Sequence, residues 1–85
     1  MKEFTFTIRD ELGLHARPAG MLVKTAGKFA SKVTIRTGTA AADGKKILAV
    51  MKLAAKHGTA LQVACEGPDE EAAAAALQEF LNASL

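Results

Sequence analysis

The segment Gly13-Leu14-His15-Ala16-Arg17-Pro18-Ala19 gathers residue types that suit phosphoryl chemistry. His15 precedes a run in which Ala19, Leu22, Val23, Ala26, Phe29 and Ala30 recur at helical spacing, which places it at or beside a helix N-cap. The first-turn amides of a helix have no internal acceptors and attract anions, phosphate above all. Ala16, Arg17 and Pro18 therefore make an anion-binding helix start. Arg17 adds a guanidinium fork able to hold phosphate bidentately. Pro18 falls in the first turn, where a missing N–H costs nothing. Gly13 permits an unusual backbone angle just before the histidine. A neutral imidazole at position 15 can attack phosphorus as a covalent nucleophile. On these residues alone a plainer alternative stays open, in which His15 is a cap or a surface residue.

The rest of the chain must position that segment. Phe4, Phe6 and Ile8 alternate with Thr5, Thr7 and Arg9, which reads as a strand with one buried face. The first helix is expected from Ala16 to Gly27 or Lys28. Val33 and Ile35 mark a second strand, Thr37-Gly38-Thr39 a turn, and Ala40 to Asp43 a weak third strand. A short helix is expected from Ile47 to Lys56, ended by Gly58. Leu61, Val63 and Cys65 mark a fourth strand. Asp69 is placed to cap a last helix through its carboxylate, with Glu70 and Glu71 in the positive first turn. Ala73, Leu77, Phe80, Leu81 and Ser84 follow its inward stripe. The order β-α-β-β-α-β-α suggests a four-stranded, mostly antiparallel sheet covered on one face by helices, with a wet, Thr- and Lys-rich opposite face.

Length and composition narrow the function. The chain has 85 residues, enough for one small domain and too few for a deep active site. A lone cysteine, Cys65, excludes an internal disulfide and a thiolate zinc site. A net charge of +2, with no Trp, no Tyr and four Phe, does not suggest nucleic-acid binding. No apolar run approaches the ~18 residues a membrane span needs, and residues 1–5 show no apolar leader, so a cytoplasmic location is expected. His57, beside Gly58, is expected to interact with a helix end, and Cys65 to face the core.

The string from Gly13 to Ala19 resembles the active-site signature of the HPr family, the phosphocarriers of the bacterial phosphoenolpyruvate:sugar phosphotransferase system. The resemblance runs through essentially the whole chain, including its length, its element order, Lys45, Ile47-Leu48-Ala49-Val50-Met51, Gly58 and Glu66-Gly67-Pro68-Asp69-Glu70. It implies an α+β, open-faced β-sandwich: a single domain over residues 1–85, with three helices on one face of a four-stranded antiparallel sheet. It also implies a phosphoryl carrier and not a turnover enzyme, with no cofactor and no metal. Enzyme I would phosphorylate Nδ1 of His15, Arg17 would steady the phosphate, and the IIA components of sugar permeases would receive it. A monomer without membrane insertion is expected.

A carrier docks transiently to several partners, which requires a small apolar patch with a charged rim. Gly20, Ile47, Leu48 and Met51 are the candidates around His15, with Lys24 and Lys52 beside them. Ile47, Val50 and Met51 can all face inward at helical spacing, whereas Leu48 need not; the plainer reading makes Leu48 core. Lys24, Lys28, Lys45, Lys46 and Lys52 can ring the patch and steer acidic partners, or serve only as a solvated face. Position 46 departs from the family. Many members from Gram-positive bacteria carry a kinase-regulated serine there, where this chain has Lys46, so that branch of control is not expected. Two other readings stay open: a split-βαβ binding module for RNA or a metabolite, and a regulatory paralogue, for example nitrogen-related, with its own Enzyme I.

Overall fold

A computed structural model describes residues 1–38 and 40–85. Its elements are β1 (Lys2–Thr7), α1 (Ala16–Ala26), β2 (Lys32–Thr37), β3 (Ala40–Asp43), α2 (Ile47–Lys52), β4 (Ala60–Glu66) and α3 (Glu70–Ser84). The strands form one antiparallel sheet in the order β1-β4-β2-β3. The expected element order and open sheet are both present. The expected turn at Thr37-Gly38-Thr39 includes Thr39, which lies outside the described residues.

The period-2 pattern of the strands sets the register. Phe4, Val63, Ile35 and Ala42 are cross-strand neighbours on the covered face. Val63 and Ile35 are fully buried there, against Ala19, Leu22 and Ala26 of α1 and Ala73, Leu77 and Leu81 of α3. A one-residue slip would turn that whole apolar set to water, so the register is strongly specified. The opposite rung runs through Thr5, Gln62, Arg36 and Ala41, all exposed. That face is wet as expected, though amide, acidic and Arg side chains share it with Thr and Lys. The short helix α2 packs against α1 and β3.

Several local expectations are corrected. The first helix ends at Ala26, with Gly27 as C-cap in a helical conformation. The second ends at Lys52 and not at Lys56, because Ala54 adopts a left-handed φ of 51°. His57 therefore sits in a turn before β4, away from any helix end. Ile47 and Met51 do not face inward; they are 41% and 39% exposed, and only Val50 of α2 is buried. Cys65 does face the core, where burial raises its thiol pKa.

Asp69 does not cap α3 with its carboxylate. It reaches back to the start of β2, accepting the amides of Ala30 and Ser31, both at 2.9 Å, and the Ser31 hydroxyl. Ser31 is a fully buried polar residue, and an unpaired buried amide and hydroxyl would be costly. Satisfying them outweighs a surface cap. Gly67 completes the cluster, since a Cβ there would lie 2.7 Å from Ser31 Cα. The Ser31 hydroxyl, then the Ala30 amide, hold the Asp69 carboxyl below its usual range. The chain's amino group and the Gly67 amide do the same for Glu70.

A carboxyl with a lowered native pKa contributes stability that is complete above its unfolded pKa and lost as pH falls through the native value. Asp69→Asn is therefore expected to lower Tm at neutral pH by roughly 5–10 °C. Urea unfolding between pH 7 and pH 3 should show the parent losing stability below about pH 4 more steeply than the variant.

Candidate functional site

The site is built on the loop between β1 and α1, which is held from two sides. On one side the Leu14 amide donates to the Ala55 carbonyl at 2.8 Å, and the Leu14 side chain is buried. That approach requires Gly13, whose φ is +69°; a Cβ there would lie 2.4 Å from the Ala55 oxygen. On the other side the amides of Arg9 and Asp10 donate to a backbone oxygen of Leu85 at 2.7 and 2.9 Å. The Arg9 guanidinium donates to the Asn82 carbonyl at 2.6 Å. Inside the loop, an Asp10 carboxylate oxygen accepts the Leu12 amide at 2.8 Å.

These anchors fix where α1 begins. His15 is its N-cap, with an extended backbone at φ −88° and ψ −175°, and its carbonyl accepts the Ala19 amide at 2.9 Å. Its imidazole makes no capping hydrogen bond. Pro18 is buried in the first turn and has no N–H, which leaves Ala16 and Arg17 as the open amide donors of the helix start. The ring is half-buried and borders an open depression of about 260 Å³ lined by Asp10, His15, Arg17, Pro18, Met21 and Ser84. Among the described residues the Arg17 guanidinium has no carboxylate partner, and no cluster of side chains suits a metal ion. The arrangement joins an imidazole and a guanidinium without hydrogen-bond partners among the described residues, and a positive helix end, around one open depression.

The other expected positions lie on α1 and α2, which pack against each other. Gly20 faces α2, because a Cβ on it would meet Ile47 Cδ1 at 3.5 Å. Leu48 is 72% exposed, so it is not core, and Ile47 and Met51 flank it. Lys24 and Lys52 are exposed at the last turns of α1 and α2. Lys45 is no free rim charge: its ammonium donates to the Phe29 carbonyl at 2.7 Å. Lys46 is the exposed N-cap of α2 and makes no side-chain cap. Asp43 organises that turn instead, accepting the Lys45 amide on its carboxylate at 2.9 Å and the Lys46 amide on its carbonyl at 3.1 Å. Its negative charge beside the helix start offsets the lysines there.

Sequence reasoning missed Asp10, Met21 and Ser84 as lining residues of the depression. Met21 is 50% exposed, and its spacing of four from Arg17 on a helix was an available signal. Asp10, in the loop before α1, and Ser84, brought in from the far end of the chain, had none.

No helix among the described residues is long and apolar enough to cross a membrane. Residues 2–83 match the family model described as "PTS HPr component phosphorylation site". The chain is 48% identical to the phosphocarrier protein HPr of Lysinibacillus sphaericus over 81 residues, covering 95% of this chain and 92% of that one. It is 45% identical to part of a multiphosphoryl transfer protein of Vibrio cholerae, covering 95% of this chain and 21% of that protein. The solved histidine-containing phosphocarrier protein of Mycoplasma superposes with a TM-score of 0.95 at 36% identity, covering 98% of this chain and 94% of that one.

Replacing Gly13 tests whether the loop is held as described. Gly13→Ala is expected to lower Tm by roughly 10 °C and to shift the backbone NMR resonances of Leu14 and His15. Gly20→Ala, whose added methyl meets only ordinary van der Waals contact, should leave those resonances in place.

Proposed function

The chain belongs to the HPr family of the phosphotransferase system, and on that premise we propose that it carries a phosphoryl group on Nδ1 of His15. The observation that supports this best is the N-cap imidazole that does not cap, set beside an Arg17 without an internal partner. In the forward step the Nδ1 lone pair attacks phosphorus. The bond from phosphorus to the donor, phospho-Enzyme I, breaks, and its electron pair leaves on the donor. The amides of Ala16 and Arg17 and the Arg17 guanidinium hold the phosphoryl oxygens; Pro18 shapes the turn without donating. Transfer to a IIA component repeats the displacement with the imidazole as leaving group.

The protein acts as a single-domain cytoplasmic monomer and meets its partners through Gly20, Ile47, Leu48 and Met51, with Lys24 and Lys52 at the rim. This apolar patch is too small for an obligate interface, which suits brief docking to Enzyme I and then to IIA. Lys46 offers no hydroxyl at the start of α2, so serine-directed control is absent at that position.

Mixing the protein with Enzyme I and labelled phosphoenolpyruvate is expected to give acid-labile, alkali-stable label that disappears in His15→Ala. Arg17→Ala should slow labelling by one to two orders of magnitude, from the loss of about 1.5–3 kcal/mol of charge-assisted hydrogen bonding. An unlabelled parent protein would sink the proposal. Incubation with an HPr kinase and ATP should leave the protein unmodified by mass spectrometry. Phosphate appearing on Ser31 or another hydroxyl would show that control has moved rather than vanished.

A further inference from the structure

The last turn of α3 forms a wall of the His15 depression, and the sequence gives no hint of it. Ser84 lines that space together with His15, Arg17 and Asp10. The turn is held there by a backbone oxygen of Leu85, which accepts the Arg9 and Asp10 amides, and by the Asn82 carbonyl, which accepts the Arg9 guanidinium. The buried Leu85 side chain adds a packing anchor. None of these hydrogen bonds uses the Ser84 hydroxyl, and Ser84 itself is half-buried and lines the space. Asp10 places a carboxylate in the same lining, with one oxygen already accepting the Leu12 amide. A phosphoryl dianion beside that carboxylate needs donors on both walls, and on the α3 wall Ser84 supplies a hydroxyl.

We propose that the Ser84 hydroxyl donates to a non-bridging oxygen of the phosphoryl group on His15 and prolongs the life of the phosphohistidine. The inference rests on the phosphoryl-acceptor reading of His15. In hydrolysis the oxygen of water bonds to phosphorus, the P–N bond breaks and its electron pair returns to Nδ1. Inorganic phosphate departs, and the protons of the water are shared between it, the imidazole and solvent. The transition state is loose, and negative charge on the non-bridging oxygens falls as it is reached. A donor held to those oxygens therefore stabilises the phosphohistidine more than its transition state, and slows its loss.

The test labels the parent, Ser84→Ala and Ser84→Thr with Enzyme I and labelled phosphoenolpyruvate. Enzyme I is then removed and the protein-bound label followed at neutral pH. The half-life of Ser84→Ala should be about three- to tenfold shorter than the parent's. Ser84→Thr, which keeps the hydroxyl, should stay within about twofold of the parent on the same grounds. Matching thermal melts confirm that the fold is unchanged, as alanine is a good residue in a helix turn. Equal half-lives for the parent and Ser84→Ala overturn the inference while leaving the acceptor reading intact. A parent that takes no label overturns the acceptor reading and this inference with it.

Discussion

The Leu14 amide reaches the Ala55 carbonyl only because residue 13 has no side chain. That one close approach joins the loop before α1 to the segment after α2, and it decides where α1 starts. The helix start in turn decides which residue stands at the N-cap and in which direction the first amides point. A larger residue at position 13 would push the loop outward, and His15 would lose its place at the N-cap of α1. The second tether, from Arg9 and Asp10 to the end of α3, prevents the same loop from swinging the other way. His15 is thus set by backbone hydrogen bonds on each side of it. Its own side chain contributes nothing to that placement and remains available for chemistry.

The stability of the fold is concentrated elsewhere. Ser31, Asp69 and Gly67 lock the start of β2 to the start of α3 through a buried hydroxyl and two amides. The sheet core of Val33, Ile35, Leu61, Val63 and Cys65 is fully buried and has no polar atom to satisfy apart from its ladder. Separating the two tasks lets the loop around His15 stay open without weakening the domain. It also explains why a carboxylate well placed for capping gives up that role. The buried hydroxyl has no other partner, whereas the first amides of α3 can use water.

What was legible in the sequence was what local pattern specifies. Phe4-Phe6-Ile8 and Leu61-Val63-Cys65 announce their strands by alternation, and Gly13, His15 and Pro18 announce a helix start by their backbone preferences. Helical phase leaves Leu48 free to face outward, and it is the family resemblance that points to a surface role for it. What was not legible depends on partners distant in the chain. Nothing near Asp69 says that Ser31 is buried beneath it, and nothing near Lys45 says that its ammonium is tied to Phe29. Ala54 ends α2 in a conformation for which alanine carries no sequence signature, so the local pattern alone predicts a longer helix than the one present. An apolar stripe permits Ile47 and Met51 to face inward, but it cannot by itself reveal that Val50 is the one buried residue of α2.

The openness of the His15 depression has a kinetic consequence. The ring borders a single shallow space between α1 and the end of α3. Any two proteins that exchange a group through that nitrogen must approach from the same hemisphere, so they exclude one another. Each must leave before the next arrives, and throughput is then limited by residence time. At an association rate near 10⁷ M⁻¹s⁻¹, a complex with a Kd of about 1 μM lasts about 0.1 s, and one of about 1 nM lasts about 100 s. A fold with so little enclosure around the His15 ring therefore suits such exchange best when none of its complexes is tight.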